Sequence, residues 1–347
     1  MKRFLHRFIY LLCLGIVAFM LVCACSQSSE QDVTSPASSA ENCRIVQHTM
    51  GETCVPLNPQ RIVALDILTL GDTVALGIKP IAAGIWSPIE GTIDATPHLA
   101  DKIKGIALHR FTNQPDLEKI LLLKPDLIIS ASDPSFRGIY KQLSQIAPTV
   151  LIPWAEISRD WKQHLKETAK VFDKTEVATQ LLNGYYQRVE ELKQVLETLQ
   201  KNSQNNHIQP FYASFAFVSN GLYLAQRNSF AGTILNDLGL LSPKLLNNLA
   251  LPISDESLPI IDSDVLFVGS YQQSDRSTLE RLQRKPLWSK IKAVQQNQVY
   301  FVDFQTWYGF DFLAAHAVLD DIEKYLVNTP KTNRRKSVSI AKIAIVR

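Results

Sequence analysis

The chain has 347 residues, of which 46% are hydrophobic and 20% are charged, so it can bury the cores of two domains of ordinary size. The formal net charge is +3, but nine of the 36 Lys and Arg residues lie in the two ends, 1–24 and 331–347. Residues 25–330 therefore carry 27 basic against 33 acidic residues, which argues against a nucleic-acid-binding surface and a nucleic-acid partner.

Residues 1–24 have the pattern of an export signal. Lys2, Arg3 and Arg7 precede an apolar run, which ends in the sequence LVCAC. The order of a small residue, Cys25 and a polar spacer resembles a bacterial lipoprotein signal, in which the cysteine carries the lipid. We expect a lipid anchor on the periplasmic side of the cell membrane, and an uncleaved membrane-spanning helix is the alternative.

Two cysteines remain after the signal and Cys25 are set aside. Cys43 and Cys54 stand in the stretch CRIVQHTMGETC, and in an exported chain this pair predicts one disulfide that closes a loop around a turn at Gly51. Two free thiols are the alternative. A metal site built on this pair alone is disfavoured, because no His or Cys partner lies at zinc-finger spacing.

The first half alternates strand and helix patterns. PQRIVALD and IAAGIW predict strands on either side of the helical spacing in LTLGDTVALGIKP. DLEKILLLKP predicts a helix that ends before Pro125, and the strands DLIISAS and TVLIPW follow, with a helix between them. Strands alternating with helices on short connections predict βαβ units and a mostly parallel sheet.

The middle of the chain has a single long helical pattern in place of alternating strands and helices. Residues 175–201 have apolar positions at helical spacing with charges between them, which predicts one helix about 40 Å long. A coiled-coil segment is the alternative. After the polar break NSQNNH, strand and helix patterns alternate again to the last helix, FLAAHAVLDDIEKYLV.

These patterns predict an α/β fold of two Rossmann-like lobes with mainly parallel sheets, joined by one long helix. The predicted segments are a lipoprotein signal (1–24), a flexible spacer (25–42), an N-terminal lobe (43–172), a linking helix (173–203), a C-terminal lobe (204–330) and a disordered basic tail (331–347).

Several short stretches, in this order, resemble the periplasmic siderophore-binding proteins of iron ABC importers, and above all the ferric hydroxamate binding protein. The stretches are PQRIVALD, LTLGDTVALGIKP, NQPDLEKILLLKPDLIIS, QLSQIAPTV, NSFAGTILNDLGL and PLWSKIKAVQQNQVYFVD, within residues 56–327. The resemblance implies the class III periplasmic binding protein fold, a monomer without catalysis or cofactor, and delivery of cargo to an ABC permease and its ATPase.

One wall of the expected cleft comes from the stretch TWYGFDF. The resemblance places Trp307 and Tyr308 at the cleft between the lobes, where rigid aromatic faces suit the bulky shell of a ferric siderophore. Core packing beneath the last helix is the alternative for both, and it is the preferred interpretation for Phe312.

The opposite wall is expected from the first half. Arg110 lies near the place of an arginine that donates to hydroxamate oxygens in the relative, although Thr112 takes that place when the following proline is aligned. Ser132 and Phe136 lie in or beside the loop after DLIISAS. Two further candidates are Trp86, with core packing as the alternative, and Arg227, which either meets an anionic chelate or faces water.

The resemblance also implies docking on the permease through one acidic residue of each lobe. Asp72 and Asp237 lie at or next to those positions, and ordinary solvated carboxylates are the alternative.

The predicted ligand is an Fe(III) siderophore of the hydroxamate or citrate type. Haem or a cobalamin is the alternative ligand, with Tyr308 or His109 as an iron ligand, and a structural envelope lipoprotein or an enzyme on the same fold is a third possibility. The scattered histidines predict no zinc or manganese site, and hydrolase, P-loop and dinucleotide-binding motifs are missing from the sequence.

Overall fold

The computed structural model describes residues 42–86, 96–111, 114–154, 160–203, 211–219, 221–240, 250–270 and 275–328. The predictions for the signal, the lipidation of Cys25, Thr112 and the basic tail lie outside these residues. The chain divides into a unit of residues 1–43 and a unit of residues 44–347, and both lobes lie within the second unit.

Twelve strands are described. They are β1 (Cys43–His48), β2 (Gly51–Pro56), β3 (Ile62–Ala64), β4 (Ala82–Trp86), β5 (Ala107–Phe111), β6 (Leu127–Ala131), β7 (Thr149–Ile152), β8 (Ala213–Val218), β9 (Leu222–Ala225), β10 (Ala250–Ile253), β11 (Val265–Ser270) and β12 (Val299–Asp303).

Helices connect most of these strands. They are α1 (Ile67–Ala75), α2 (Leu117–Leu122), α3 (Pro134–Gly138), α4 (Tyr140–Ile146), α5 (Trp161–Val171), α6 (Thr175–Ser203), α7 (Phe230–Asp237), α8 (Asp275–Gln283), α9 (Lys292–Gln295), α10 (Phe304–Trp307) and α11 (Phe312–Ile322), with 3₁₀ turns at Asp255–Ile260 and Trp288–Lys290 and a π-helical turn at Glu323–Val327.

The N-terminal lobe is built on a five-stranded sheet in the order β5-β4-β3-β6-β7, with every neighbouring pair parallel. All five residues of β6 are buried, as is usual for a parallel strand covered by helices on both faces. The strand order reverses between β3 and β6. In open α/β sheets a ligand crevice forms beyond the carboxyl ends of the strands at such a point.

The C-terminal lobe has a mixed five-stranded sheet in the order β10-β9-β8-β11-β12. Strands β8, β11 and β12 run parallel, as the alternation of strands and helices predicts. Strands β9 and β10 pair antiparallel at the edge and were not predicted from the sequence. The prediction of an α/β fold with mainly parallel sheets is confirmed.

The long helix α6 has 29 residues and, at 1.5 Å per residue, spans about 44 Å. Its buried positions Ala178, Leu182, Tyr185, Val189, Leu192 and Leu196 follow a spacing of four and three residues and lie on one face. That face packs into the main hydrophobic cluster together with α5, α7 and α11. The helix therefore lies against the globular body, which excludes the coiled-coil alternative.

The predicted disulfide is present. Cys43 and Cys54 are bonded to each other on the two-stranded ribbon β1–β2. Gly51 follows the turn with φ of 119°, a conformation that favours glycine. Within the described part of the chain, no helix has the length and apolar character needed to cross a membrane.

Candidate functional site

A cleft of about 540 Å³ lies between the lobes, at the carboxyl ends of β3 and β6 where the strand order reverses. The N-terminal lobe contributes residues at or beyond the carboxyl ends of β3, β5, β6 and β7, and the C-terminal lobe contributes Tyr308, Gly309 and Phe310. A cleft of this volume falls within the range of small-molecule binding sites.

Five aromatic side chains line this cleft: Phe111, Phe136, Trp154, Tyr308 and Phe310. Phe111 and Phe136 meet edge to face, with ring centroids 6.0 Å apart. Phe310 lies edge to face with Trp154 at 5.6 Å and with Tyr308 at 4.9 Å, so rings from both lobes meet across the cleft. These contacts hold the rings in fixed orientations and leave a rigid, largely apolar wall.

The polar groups of the described lining are acidic or neutral. Asp66 joins the segment after β3 to the end of β6. Its Oδ2 atom accepts from the Ala131 backbone N at 2.7 Å and from the Ser130 hydroxyl at 2.9 Å. Its Oδ1 atom caps α1 by accepting from the Thr69 backbone N at 2.8 Å. Asp133 caps α3 in the same way. None of the described residues that line the cleft is Lys, Arg or His.

The segment 308–310 takes its shape from two unusual backbone positions. Phe310 has φ of 61°, in the left-handed region that non-glycine residues seldom adopt. At Gly309, a Cβ atom would lie 2.4 Å from the Ala314 Cβ, so only glycine fits this close approach. These positions turn the chain between α10 and α11 and present Tyr308 to the cleft.

The structure separates the two aromatic residues that the sequence analysis placed together. Tyr308 is half-buried and lines the cleft, whereas Trp307 is completely buried and does not. The Trp307 ring packs against Phe267 with centroids 4.4 Å apart, and its Nε1 donates to the Asp321 Oδ2 at 2.9 Å. The prediction that Trp307 lines the cleft is therefore wrong.

The physical reason is helical geometry. The preceding strand ends at Asp303, whose side chain caps the short helix α10, so the aromatic pair follows a helical turn and not a strand end. Successive helical residues point about 100° apart, which sends Trp307 into the core and Tyr308 towards the cleft.

Of the other predicted ligand-binding residues, only Phe136 belongs to the described lining of the cleft. Phe136 lines the cleft, and Ser132 is buried beside it without reaching the lining. Arg110 lies on β5 and lines a separate pocket of about 270 Å³ within the N-terminal lobe. Arg227, in the connection from β9 to α7, does not belong to the described lining of the cleft. Trp86 ends β4 and pairs with Phe111, but its side chain lies outside the described part.

Sequence reasoning missed Trp154 and the capping carboxylates Asp66 and Asp133. Trp154 closes the predicted strand TVLIPW, and that position at a strand end was the available signal.

Neither predicted docking carboxylate is free on the surface. Asp72 is completely buried and accepts from His164 and from the backbone of Phe312, so its predicted role in docking is wrong. Asp237 is half-buried and pairs with Lys162 Nζ at 2.6 Å while accepting from the Tyr185 hydroxyl at 2.8 Å. Its carboxylate therefore joins α7 to α5 and α6.

The two candidate haem ligands, Tyr308 and His109, lie in different pockets. Tyr308 lines the cleft, but His109 lines the N-terminal-lobe pocket with Arg110. Within the described ranges, no group of three His, Cys, Asp or Glu side chains is arranged to hold a metal ion.

Comparison with known proteins agrees with this architecture. Residues 62–306 match the family model described as periplasmic binding protein. The chain is 31% identical over 340 residues to a probable siderophore-binding lipoprotein of Bacillus subtilis, covering 94% of this chain and all of the relative. It is 31% identical over 283 residues to the achromobactin-binding periplasmic protein of Dickeya dadantii, covering 77% of this chain and 86% of the relative.

Among solved structures, Staphylococcus aureus SirA complexed with staphyloferrin B matches with a TM-score of 0.70 at 26% identity. The match covers 83% of this chain and 99% of that one.

Proposed function

Since the chain belongs to the periplasmic binding protein family, we propose that it binds a ferric siderophore in the cleft between its lobes and delivers it to an ABC importer. The observation that carries this proposal is the cleft of about 540 Å³ with aromatic rings from both lobes, at the strand reversal of the N-terminal sheet. The names of the relatives point the same way, because several are named as siderophore-binding or ferric citrate-binding proteins.

The cleft suits a preformed chelate. A siderophore surrounds iron with its own donor atoms, so the protein needs to supply surface contact and not metal ligands. The aromatic rings provide large contact area with little conformational entropy to lose, and the ring contacts across the cleft hold them in place before the ligand arrives. The iron complex is cargo in this proposal, and we propose neither a resident cofactor nor a reaction.

The charge of the described lining favours the hydroxamate class over the citrate class. Three hydroxamate groups neutralise Fe(III), whereas citrate complexes keep negative carboxylates that need a cationic partner. The described lining offers Asp66 and Asp133 and no cationic side chain. A neutral or positively charged chelate therefore meets no like charge in the described lining, whereas an anionic chelate is repelled by two carboxylates.

We propose the periplasmic side of the cell membrane as the location, with Cys25 as the lipid-bearing residue. The export signal in the sequence supports this, together with relatives named as lipoprotein and as periplasmic proteins. The permease and ATPase of an iron importer are the proposed partners, and the protein is proposed to act as a monomer.

A fluorescence titration tests the ligand class. Trp154 lies in the lining, so an iron chelate that enters the cleft should quench its emission. We expect ferric hydroxamates to bind more tightly than ferric citrate. Tyr308→Ala should weaken binding, and the matched control Tyr186→Ala should not, because Tyr186 is 46% exposed on α6, away from the lining.

Haem serves as the competing ligand in the same titration. A Soret band that forms with wild type and disappears in Tyr308→Phe would establish haem ligation by Tyr308 and overturn the siderophore proposal. Failure of ferric hydroxamates and ferric citrate to quench at all would overturn it as well.

A further inference from the structure

Two buried histidine–aspartate pairs lie at the junction between the lobes. In the first, His164 on α5 contacts Asp72 on α1, with Nδ1 and Oδ2 2.7 Å apart and neither side chain exposed. The other Asp72 oxygen, Oδ1, accepts from the backbone N of Phe312 at 3.0 Å. Asp72 therefore ties two elements of the N-terminal lobe to the first residue of α11 in the C-terminal lobe.

The second pair lies beside the first. His98 of the N-terminal lobe contacts Asp311, with Nε2 and Oδ2 3.0 Å apart, and the side chains are 1% and 0% exposed. The other ring nitrogen, Nδ1, lies 3.3 Å from the Thr306 hydroxyl. Asp311 also caps α11 by accepting from the Ala314 backbone N at 2.9 Å. We refer to Asp72, His98, His164 and Asp311 together as the junction cluster.

The backbone of α1 is fitted to this cluster. A Cβ atom at Gly71 would lie 2.5 Å from the Asp311 Cγ, so α1 approaches Asp311 as closely as it does only because residue 71 is glycine. Both carboxylates lie at the amino end of α11, where the helix dipole favours negative charge.

Such an arrangement is not expected to add stability to the fold, because the desolvation energy of a buried charged or strongly polar pair is about as large as the attraction between its members. The Nε2 atom of His164 even lacks a hydrogen-bond partner among the described residues, so this buried ring is held through Nδ1 alone. What the cluster does provide is a fixed geometry, since the bond from the Phe312 backbone N to Asp72 and the His98–Asp311 contact each join one lobe to the other.

The junction cluster is connected to the cleft in two ways. Along the chain, Asp311 directly follows Tyr308, Gly309 and Phe310, which form the C-terminal wall of the cleft. Through space, the His164 ring lies edge to face with Trp154 at 5.4 Å, and Trp154 in turn contacts Phe310 at 5.6 Å. The groups that join the lobes therefore also hold the rings that line the cleft.

We infer that the junction cluster consists of positioning residues, which fix the two lobes at one separation and thereby set Tyr308 and Phe310 at the geometry that a chelate needs. None of the four residues belongs to the described lining, so they act through the aromatic wall and not by touching the ligand. The inference rests on the proposed function for its effect on binding, but the bond to α11 is testable without any ligand.

The ligand-free test uses hydrogen exchange of the peptide that contains Phe312. Asp72→Ala removes the acceptor of the Phe312 N–H, so exchange at the amino end of α11 should accelerate at least tenfold. Asp72→Asn keeps one oxygen acceptor and should stay within about threefold of wild type. Exchange that is unchanged in Asp72→Ala would overturn the inference whatever the protein binds.

The binding test compares Asp72→Ala with Leu258→Ala, a control that destabilises the core of the C-terminal lobe far from the junction cluster. Both are measured with a ferric hydroxamate at a temperature where circular dichroism shows each variant folded. Asp72→Ala should weaken binding at least tenfold and Asp72→Asn less than that, whereas Leu258→Ala should leave the dissociation constant within twofold.

A double-mutant cycle distinguishes positioning from general loosening. If Asp72 acts through Tyr308, then Asp72→Ala should cost clearly less affinity in a Tyr308→Ala background than in wild type. Additive losses would overturn the inference, as would equal losses in Asp72→Ala and Leu258→Ala. If wild type binds no chelate, the proposed function fails, and the exchange experiment alone decides on the junction.

Discussion

The replacement of Trp307 by Phe tests the separation of two neighbouring aromatic residues into core and cleft. Trp307 is completely buried, and its Nε1 donates to Asp321 at 2.9 Å. Phe retains most of the ring but removes this donor and leaves a small cavity. Loss of a hydrogen bond to a charged group costs about 2 kcal/mol, and the missing ring atoms add about 1 kcal/mol.

The penalty should depend on pH. Burial raises the pKa of the Asp321 carboxyl, while the hydrogen bond from Trp307 lowers it. Without that donor the pKa of Asp321 in the folded state rises further. A raised carboxyl pKa contributes stability that is present at low pH and lost as pH rises through it, so Trp307→Phe should be more destabilising at pH 7 than at pH 4.5.

Urea unfolding followed by circular dichroism measures this directly. We expect a loss of about 3 kcal/mol at pH 7. The double variant Trp307→Phe/Asp321→Asn is the control, because the neutral amide removes the titrating group and should abolish the extra pH dependence. The folded single variant should bind a ferric hydroxamate within twofold of wild type. A tenfold weaker affinity without loss of stability would show that Trp307 reaches the cleft after all.

Three further predictions follow from individual contacts. Tyr308→Ala should weaken chelate binding at least tenfold, about 1.4 kcal/mol, in a fluorescence titration, and an unchanged affinity would remove Tyr308 from the cleft wall. Burial raises the pKa of Asp72 to about 6 from 3.8, even though its bond with His164 lowers it. The stability of wild type relative to Asp72→Asn should therefore fall by about 2 kcal/mol as pH rises from 4 to 7 in urea unfolding, and a constant difference would contradict the burial of an ionised carboxylate. Cys54→Ser opens the twelve-residue loop closed by Cys43 and should cost about 3 kcal/mol in thermal unfolding, whereas a melting temperature equal to that of wild type would show that the bond constrains nothing.

The alternation of elements was readable from the sequence because it depends on local periodicity. Parallel strands such as β6 are continuous apolar runs, and the long helix α6 repeats its buried positions at fixed spacing. The pairing of Cys43 with Cys54 was also predictable, because only two cysteines remain after the signal.

The site was less predictable because it depends on orientation and on distant partners. The strand β12 ends at Asp303, and the helical turn α10 that follows it determines that Tyr308 faces the cleft and Trp307 does not. The histidine partner of Asp72 is 92 residues away in the sequence. A polar residue such as Asp72 on α1 is therefore predicted to be exposed, because the sequence does not show that His164 and the Phe312 backbone contact it in the folded protein.

A crystal structure of the protein grown with a ferric hydroxamate would show where the ligand binds and which residues contact it. We expect one chelate between the lobes, in contact with Tyr308, Phe136 and Trp154 and with no contact to any atom of Trp307. A chelate bound in the N-terminal-lobe pocket beside Arg110, or iron removed from its chelate and held by protein side chains, would contradict ligand binding in the cleft between the lobes.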